Sequence, residues 1–421
     1  MAIDSLIIPR PSEFHLGTAN FPETNILVQT VRYGDIELTN HALKIFYTED
    51  LCTRINFDNV FDSSLLGVQD KEIEVLDTSM TEDVKLFPVK RKFKSSGESI
   101  FHACPRVTPI RVNFGKNPER VSGLMVRCPE LFSNSVMLIL ENRSIRFKFS
   151  PFERNAACEN QSDSPDIFGL FEAESSLGQD DCWEELMRLE TFLTFTRGAK
   201  CGFGHVCGHS SDGSIAFAWI GFSSFDLNQP LLGWYDWSLQ NELPNIFSQF
   251  CEIPMDSLLY KAIHHSIYYY RSSNVARSDY LEMAIIASHA ALEVLVHYIL
   301  EERAGWSSEM MKGKLKSADM LRAACHFCGV TAEPLEHSVE LLKIAKNRSI
   351  DGYELVHTIR NRLVHASKAP EFEGRALLES WTVSQWMVEL LIFYLIGYRG
   401  KMADRREISR WKGTTVDVPL T

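Results

Sequence analysis

The hydrophobic pattern of this chain changes period near residue 255. Ahead of that point apolar residues come in short β-prone runs: Ile26-Leu27-Val28, Ile36-Glu37-Leu38, Ile73-Glu74-Val75-Leu76, Ile110-Arg111-Val112 and Val136-Met137-Leu138-Ile139-Leu140. Ile145-Arg146-Phe147-Lys148-Phe149 alternates strictly, one face apolar and the other basic, as a half-buried strand requires. Turn formers separate the runs at Tyr33-Gly34-Asp35, Ser95-Ser96-Gly97, Gly115-Lys116-Asn117-Pro118 and Glu141-Asn142-Arg143. Many short strands at this spacing predict a sandwich or curled sheet.

A polar stretch, Asn155 to Asp166, reads as a linker or exposed loop. Beyond it Leu186, Leu189, Leu193 and Thr196 recur at helical spacing and predict a helix from Asp180 to Thr196. Ser210-Ser211-Asp212-Gly213-Ser214 has the composition of a hairpin tip joining Ala199–His209 to Ile215–Phe222, which places this middle region with the sheet. Trp234 to Phe250 is aromatic-rich and is expected to pack between the two parts.

From Asp256 to about Tyr398 the period is helical. Helices are expected over Leu258–Arg271, Asp279–Arg303, Met311–Cys328, Asp351–Ala366 and Arg375–Tyr398. The fourth has a visible start and stop. Asp351 and Glu354 form a capping-box-like pair, and Pro370 lies just past the far end. Leu355, Val356, Ile359 and Leu363 make one buried face, while His357, Asn361 and His365 line up at four-residue spacing. Arg360 and His365 are five apart, roughly 140° around an ideal helix, so one helix holds them apart.

The fold class expected is therefore α+β and multidomain. A β-rich N-terminal region over 1–254 precedes an all-α helical bundle over 255–400. Residues 401–421 form a charged tail expected to fray or dock loosely. The length of 421 residues suits two domains, or one large domain with a smaller one.

Charge sharpens this division. Of the net −12, residues 255–421 carry 21 Lys+Arg against 20 Asp+Glu, and the preceding part carries 22 against 35. The acidic N-terminal part is a poor surface for polyanions, whose affinity comes chiefly from Lys and Arg. The helical part is near neutral with two local clusters, Lys312/Lys314/Lys316 and Arg399/Lys401/Arg405/Arg406/Arg410. Each cluster is either a solvated face or an RNA track.

Met1 to Pro11 lacks a basic start followed by a long apolar run, and the most apolar stretch, Trp386 to Leu395, is broken by Glu389. Neither a secretory signal nor a membrane span is expected, and the ten scattered cysteines suit a reducing cytoplasm. Cys325-x-x-Cys328 has no second pair nearby and reads as a buried helical thiol pair. Cys201, His205, Cys207 and His209 are metal-ligand types on one face of a strand. Alternate side chains on a strand stand about 6.5 to 7 Å apart, so zinc needs a sharp turn to gather them; the other reading is a half-buried hairpin face. Tyr268, Tyr269 and Tyr270 are read as aromatic packing, with stacking on RNA bases as the functional alternative.

Arg360, Asn361 and His365 spell Arg-Asn-x-x-x-His within a run of long helices. This resembles the signature of the HEPN superfamily, small all-α domains of which many are metal-independent ribonucleases in toxin, antiphage and CRISPR systems. A β-rich region ahead of such a domain is similar to the ApeA-like abortive-infection proteins. The resemblance implies an endoribonuclease that uses no metal and no cofactor. In it Arg360 would hold the phosphate, His365 would move protons near neutral pH, and Asn361 would orient one of them. Glu293, in Ala291-Leu292-Glu293, is placed facing this strip in a supporting role, or else on a solvated helix face with His289 and His297. His357 is a second supporting position.

The resemblance further implies a homodimer through the C-terminal helices, whose facing motifs form a composite cleft for RNA. The N-terminal region would sense a phage component and restrain the nuclease. The alternative is a catalytically silent HEPN-like helical domain serving as a binding or dimerisation module.

Overall fold

In the computed structural model the described residues are 24–33, 36–47, 53–58, 73–76, 84–93, 99–105, 110–113, 116–126, 138–141, 145–150, 167–174, 177–226, 233–365, 372, 374–407, 411 and 413–421. The first six strands are β1 (Thr24–Tyr33), β2 (Ile36–Tyr47), β3 (Thr53–Asp58), β4 (Ile73–Leu76), β5 (Val84–Phe93) and β6 (Ser99–Pro105). They form a closed antiparallel barrel in the order β1-β2-β3-β6-β5-β4. Closure comes from β1, whose Val31 stands opposite Leu38 of β2 on one side and Val75 of β4 on the other. Closing a sheet removes the unpaired edges that an open one must otherwise protect.

A second antiparallel sheet of seven strands follows: β7 (Ile110–Asn113), β8 (Arg120–Val126), β9 (Leu138–Glu141), β10 (Arg146–Ser150), β11 (Ile167–Glu174), β12 (Gly202–His209) and β13 (Ile215–Phe222), ordered β7-β13-β12-β8-β11-β10-β9. The alternation read in β10 is realised: Phe147 and Phe149 are buried, and Arg146 and Lys148 are exposed. Gly123 of β8 stands opposite Phe171 of β11, where a Cβ would come 2.6 Å from the ring. The hairpin expected at Ser210–Ser214 joins β12 to β13, with Ser210 and Ser214 both bonded to Asp212. The linker expected at Asn155–Asp166 lies outside the described residues.

Helix α1 (Gln179–Arg197) covers this sheet with Leu186, Leu189, Phe192 and Leu193, all fully buried. After a 3₁₀ turn at Trp237–Glu242 come α2 (Leu243–Cys251), α3 (Leu258–Ala276) and α4 (Leu281–Tyr298), the last extended by a π-helical turn at Ile299–Arg303. Then follow α5 (Ser308–Lys314), α6 (Ser317–Phe327), α7 (Val339–Arg348), α8 (Gly352–Val364) and α9 (Arg375–Ile396). The single helix expected over Met311–Cys328 is two, because Leu315 and Lys316 are extended, with ψ of 139° and 146°. Helix α7 went unforeseen.

Helix α9 is the axis of the helical part, with every residue from Glu379 to Phe393 buried. A helix apolar all round belongs in the middle of a bundle. Its two buried carboxylates each have partners. Glu379 accepts the Glu340 and Leu341 N–H groups at 2.8 and 3.0 Å and so caps the N-terminus of α7. Glu389 accepts from the Tyr270 hydroxyl at 2.6 Å and from Arg405 Nε at 2.9 Å.

The loosely docked tail expected from residue 401 is corrected here. A carboxylate buried at Glu389 requires a cation, and the tail supplies it in the buried Arg405. Arg406, also buried, lies 3.7 Å over the Trp386 ring and pairs with Asp404 at 2.7 Å. β14 (Lys401–Met402) pairs with β15 (Val416–Asp417), and the Thr421 N–H donates to the Gly329 carbonyl at 3.0 Å.

The seven-stranded sheet and the helices share one core. Phe195 of α1 packs on Trp234, Tyr270 and Phe393 with ring centroids 5.4, 5.8 and 5.6 Å away. Asn274 of α3 donates to the Gly198 carbonyl at 2.9 Å, and Arg271 makes two hydrogen bonds to Asp226. Trp234 lies in the aromatic-rich stretch and sits between the two parts. Among the described residues the long helix apolar enough to pass for a membrane span is Leu281–Arg303. By length and composition it is long enough to cross a bilayer, yet just over half of its apolar window is buried against its neighbours.

Candidate functional site

The site is built on α8, and its local sequence explains why the helix sits as it does. Asp351 at the N-cap accepts the Glu354 N–H at 2.8 Å and is held by Arg322 Nε at 2.6 Å. Leu355, Val356 and Ile359 are fully buried, so the helix is pinned by its apolar face and presents Arg360 and Asn361 at its margin.

Arg360 is held from two sides. Its Nη1 donates to Asn361 Oδ1 at 3.1 Å, and its Nη2 meets Glu293 Oε1 of α4 at 3.2 Å. Nε is buried and has no hydrogen-bond partner. Asn361 in turn reaches His357 Nε2 through its amide nitrogen at 2.8 Å. The His357 ring lies 6.3 Å from that of His289 on α4, and His289 Nε2 lies 3.4 Å from the Ser384 hydroxyl on α9. A polar seam thus runs from Ser384 in the core through His289, His357 and Asn361 to Arg360 and Glu293 at the surface.

Electrostatics fix the state of its inner members. Burial pushes His289 down to about 3, helped by the nearby His357 and the Arg360 charge, so it is a neutral imidazole. His357 is lowered from its ordinary value by burial first and by the Arg360 charge second, with Glu293 opposing.

His365 stands apart from this seam. The helix expected to run through it ends at Val364, and His365 is the exposed C-cap with φ −100° and ψ 91°. Its backbone N–H bonds the Asn361 carbonyl at 3.1 Å while its side chain leaves the helical path. The four-residue line of His357, Asn361 and His365 therefore holds for the first two only. Among the described residues no hydrogen bond joins Arg360 to His365.

Glu293 faces the motif, and of its two neighbours at four-residue spacing only His297 is solvated. His289 is buried at 3% exposure, so the supposed polar strip turns inward at that end. His289 had a visible signal in its spacing from Glu293, but Ser384 on the apolar α9 had none.

The other candidates are not drawn into the site. Cys201 and Cys207 are buried and both pushed up to about 12 by burial. Among the described residues no group of three or more His, Cys, Asp or Glu could hold a metal ion. Cys325 and Cys328 are buried at the end of α6. A cleft of about 720 Å³ opens at the opposite end of α8, lined by Glu333, Glu336, Lys346 and Asp351 among others, and none of Arg360, Asn361 or His365 borders it. Tyr270 is buried, but Tyr268 and Tyr269 are 56% and 38% exposed. Three successive helical residues span about 200° and cannot share one face.

Comparison with known proteins finds one distant relative and one family model. The chain is 25% identical over 190 residues to the SPbeta prophage-derived protein YopA of Bacillus subtilis, a match covering 44% of this chain and 42% of that one. The match therefore spans under half the length of that relative. No solved structure matches the chain. The family model described as the YopA C-terminal domain matches residues 256–417, so the helical part, from just before α3 to β15, is similar to that family.

Proposed function

We propose that the helical part is a metal-independent endoribonuclease of the HEPN type, acting in antiphage defence and restrained or triggered by the N-terminal region. The observation that carries this reading is the state of Arg360, held in place by Glu293 and Asn361 with its Nε buried and unfilled. An arginine oriented in advance offers a planar, permanently charged fork to phosphate oxygens. The half-exposed Glu293 side chain occupies that fork in the free chain and can be displaced by a phosphate.

RNA brings its own nucleophile, the 2′-OH. What remains is to take its proton, to give one to the leaving 5′-oxygen, and to stabilise charge on phosphorus. His365, exposed at the end of the same helix, is the proton carrier, and Arg360 the charge stabiliser. The two do not meet within one chain, which favours a homodimer whose two motifs share a cleft. The relative's prophage origin fits a role in conflict between phage and host, the trigger being a phage component sensed by the N-terminal region, with the protein in the cytoplasm.

The test is cleavage of end-labelled RNA by the full chain in excess EDTA. The parent should cut RNA, leave DNA, and give 2′,3′-cyclic phosphate ends. His365→Ala and Arg360→Lys, both confirmed folded, should be nearly inactive, since removing a proton-transfer group typically slows a reaction by about 10² to 10⁴. Activity abolished by EDTA, or kept by His365→Ala, would overturn the reading.

A second reading has one observation in its favour. Glu293 already neutralises the motif arginine, as in a helical domain that only binds or dimerises. A chain that dimerises, binds RNA or protein, and never cleaves RNA would support it.

A further inference from the structure

The outer face of α3 carries no carboxylate. Between Leu258 and Ala276 the helix contains no aspartate or glutamate, although residues 255–421 carry 20 of them against 21 Lys+Arg. Its exposed residues include Lys261, His264, His265, Tyr268 and Tyr269, while Tyr260, Ile263, Ile267, Tyr270 and Asn274 point inward. The outward rings are close neighbours: Tyr268 and Tyr269 lie 5.9 Å apart edge to face, and His264 and His265 lie 6.1 Å apart. Leaving two tyrosines in water wastes apolar area that the core would otherwise claim. A carboxylate-free helix carrying exposed aromatic rings beside a lysine has the chemistry of a single-stranded nucleic-acid platform.

Position strengthens the case. Ser266 Oγ contacts the Ala291 carbonyl at 3.4 Å, and Ser273 Oγ the Ala284 carbonyl at 2.6 Å. These two bonds set α3 antiparallel to α4 and fix the register. His264 then lies level with Glu293, and Tyr268 level with His289. Packed helices lie about 8 to 10 Å apart. The strip therefore runs alongside α4 at the height of the Arg360–Glu293 pair, with only the outward side of α4 between them. That side offers the partly exposed Ile286, Ala287, Ala290 and Val294, with Glu293 as the carboxylate nearest Arg360.

We propose that the outer face of α3 binds single-stranded RNA, with Tyr268 and Tyr269 stacking on unpaired bases and Lys261 meeting the backbone. A strand held there crosses α4 to reach Arg360. This deepens the ribonuclease reading and rests on it for the direction of the strand. It also sets the substrate class: duplex RNA keeps its bases stacked on one another and has none to offer a tyrosine.

The experiment measures binding without turnover. The full chain carrying His365→Ala is titrated against a fluorescent twelve-nucleotide oligouridylate and followed by anisotropy. Tyr268→Ala with Tyr269→Ala should weaken binding about 100-fold, since each stacked base typically contributes about tenfold. The paired Phe variants keep the rings and should bind within about twofold of the parent. Lys261→Ala should lower the salt dependence by about one phosphate contact. A perfect RNA duplex should bind poorly.

Unchanged affinity in the double alanine variant, or no binding by the parent, would overturn the proposal. So would a double variant that turns a dimer into a monomer by light scattering while keeping its RNA affinity, because the face would then be a contact between copies. A chain that binds through the tyrosines but never cleaves would leave the strip standing and remove the nuclease reading alone.

Discussion

Arg360 Nη2 lies 3.2 Å from Glu293 Oε1, and this ion pair is the surface link between α8 and α4 in the polar seam. Both partners keep contact with water, Arg360 at 24% and Glu293 at 48% side-chain exposure. Exposed pairs of this kind contribute about 0 to 1 kcal/mol to stability. Glu293→Gln should therefore leave the thermal midpoint within a few degrees of the parent. RNA affinity should rise several-fold, because the substrate no longer displaces a carboxylate. Parallel melting and anisotropy measurements check this, and weaker RNA binding would mean that Glu293 supports the bound state instead.

The buried imidazoles predict a pH dependence of stability. An unfolded histidine titrates near 6.5, while folded His289 sits at about 3 and His357 is also lowered. The unfolded chain takes up protons that the folded chain refuses. Stability is thus fully present above about pH 7 and is lost as pH falls through 6.5, by up to about 1.4 kcal/mol per pH unit for His289, with His357 acting in the same direction. Urea midpoints from pH 7.5 to 5 should fall for the parent and fall less steeply for His289→Gln. Parallel slopes would assign the effect to other groups.

Arg405 should be the most costly single charge to remove. It meets Glu389 at 2.8 Å with side-chain exposures of 6% and 0%, and its guanidinium also lies over the Tyr270 and Trp381 rings. Breaking a buried pair from one side costs about 3 to 5 kcal/mol, because the other charge stays behind. Arg405→Met should lower the urea midpoint by that margin, and adding Glu389→Leu should restore a good part of it. A loss under about 1 kcal/mol would show that the tail can lift away and hydrate Glu389.

The cysteines should be chemically quiet. Cys201, Cys207 and Cys328 are pushed up to about 12 by burial, and Cys325 is raised as well. The thiolate is the reactive form, so brief alkylation at pH 8 should leave these four unmodified in the native chain. Cys251, only partly buried, should react ahead of them. Peptide mass spectrometry before and after denaturation reads this directly.

Much of the helical part was legible because its signals are local. Asp351 announces the start of α8 through a side chain that needs only its own next turn, and Leu355 and Ile359 mark the buried face through spacing alone. The end of α8 was not legible: His365 stands where the pattern continues, yet the backbone turns out of the helix there. Signals that depend on distant partners were silent. Arg405 reads as one more tail charge until Glu389, 16 residues earlier, is known to be buried against it. Ser384 on α9 and His289 on α4 meet only because three helices converge. Closure of the first sheet was hidden for the same reason, since pairing β1 with β4 joins segments some forty residues apart.

Phe195, wedged against Trp234, Tyr270 and Phe393, also bears on how chains of this kind can be reassembled. The stretch that resembles the YopA C-terminal domain opens at residue 256, but a gene fusion made there would strip Phe195 and Trp234 from α9 and leave their partners facing water. A joint further forward, between Pro105 and Ile110, cuts no strand ladder, because among the described residues the six strands before it pair only with one another. A fusion there would exchange the barrel as one closed ladder and leave the seven-stranded sheet with the helices it packs on.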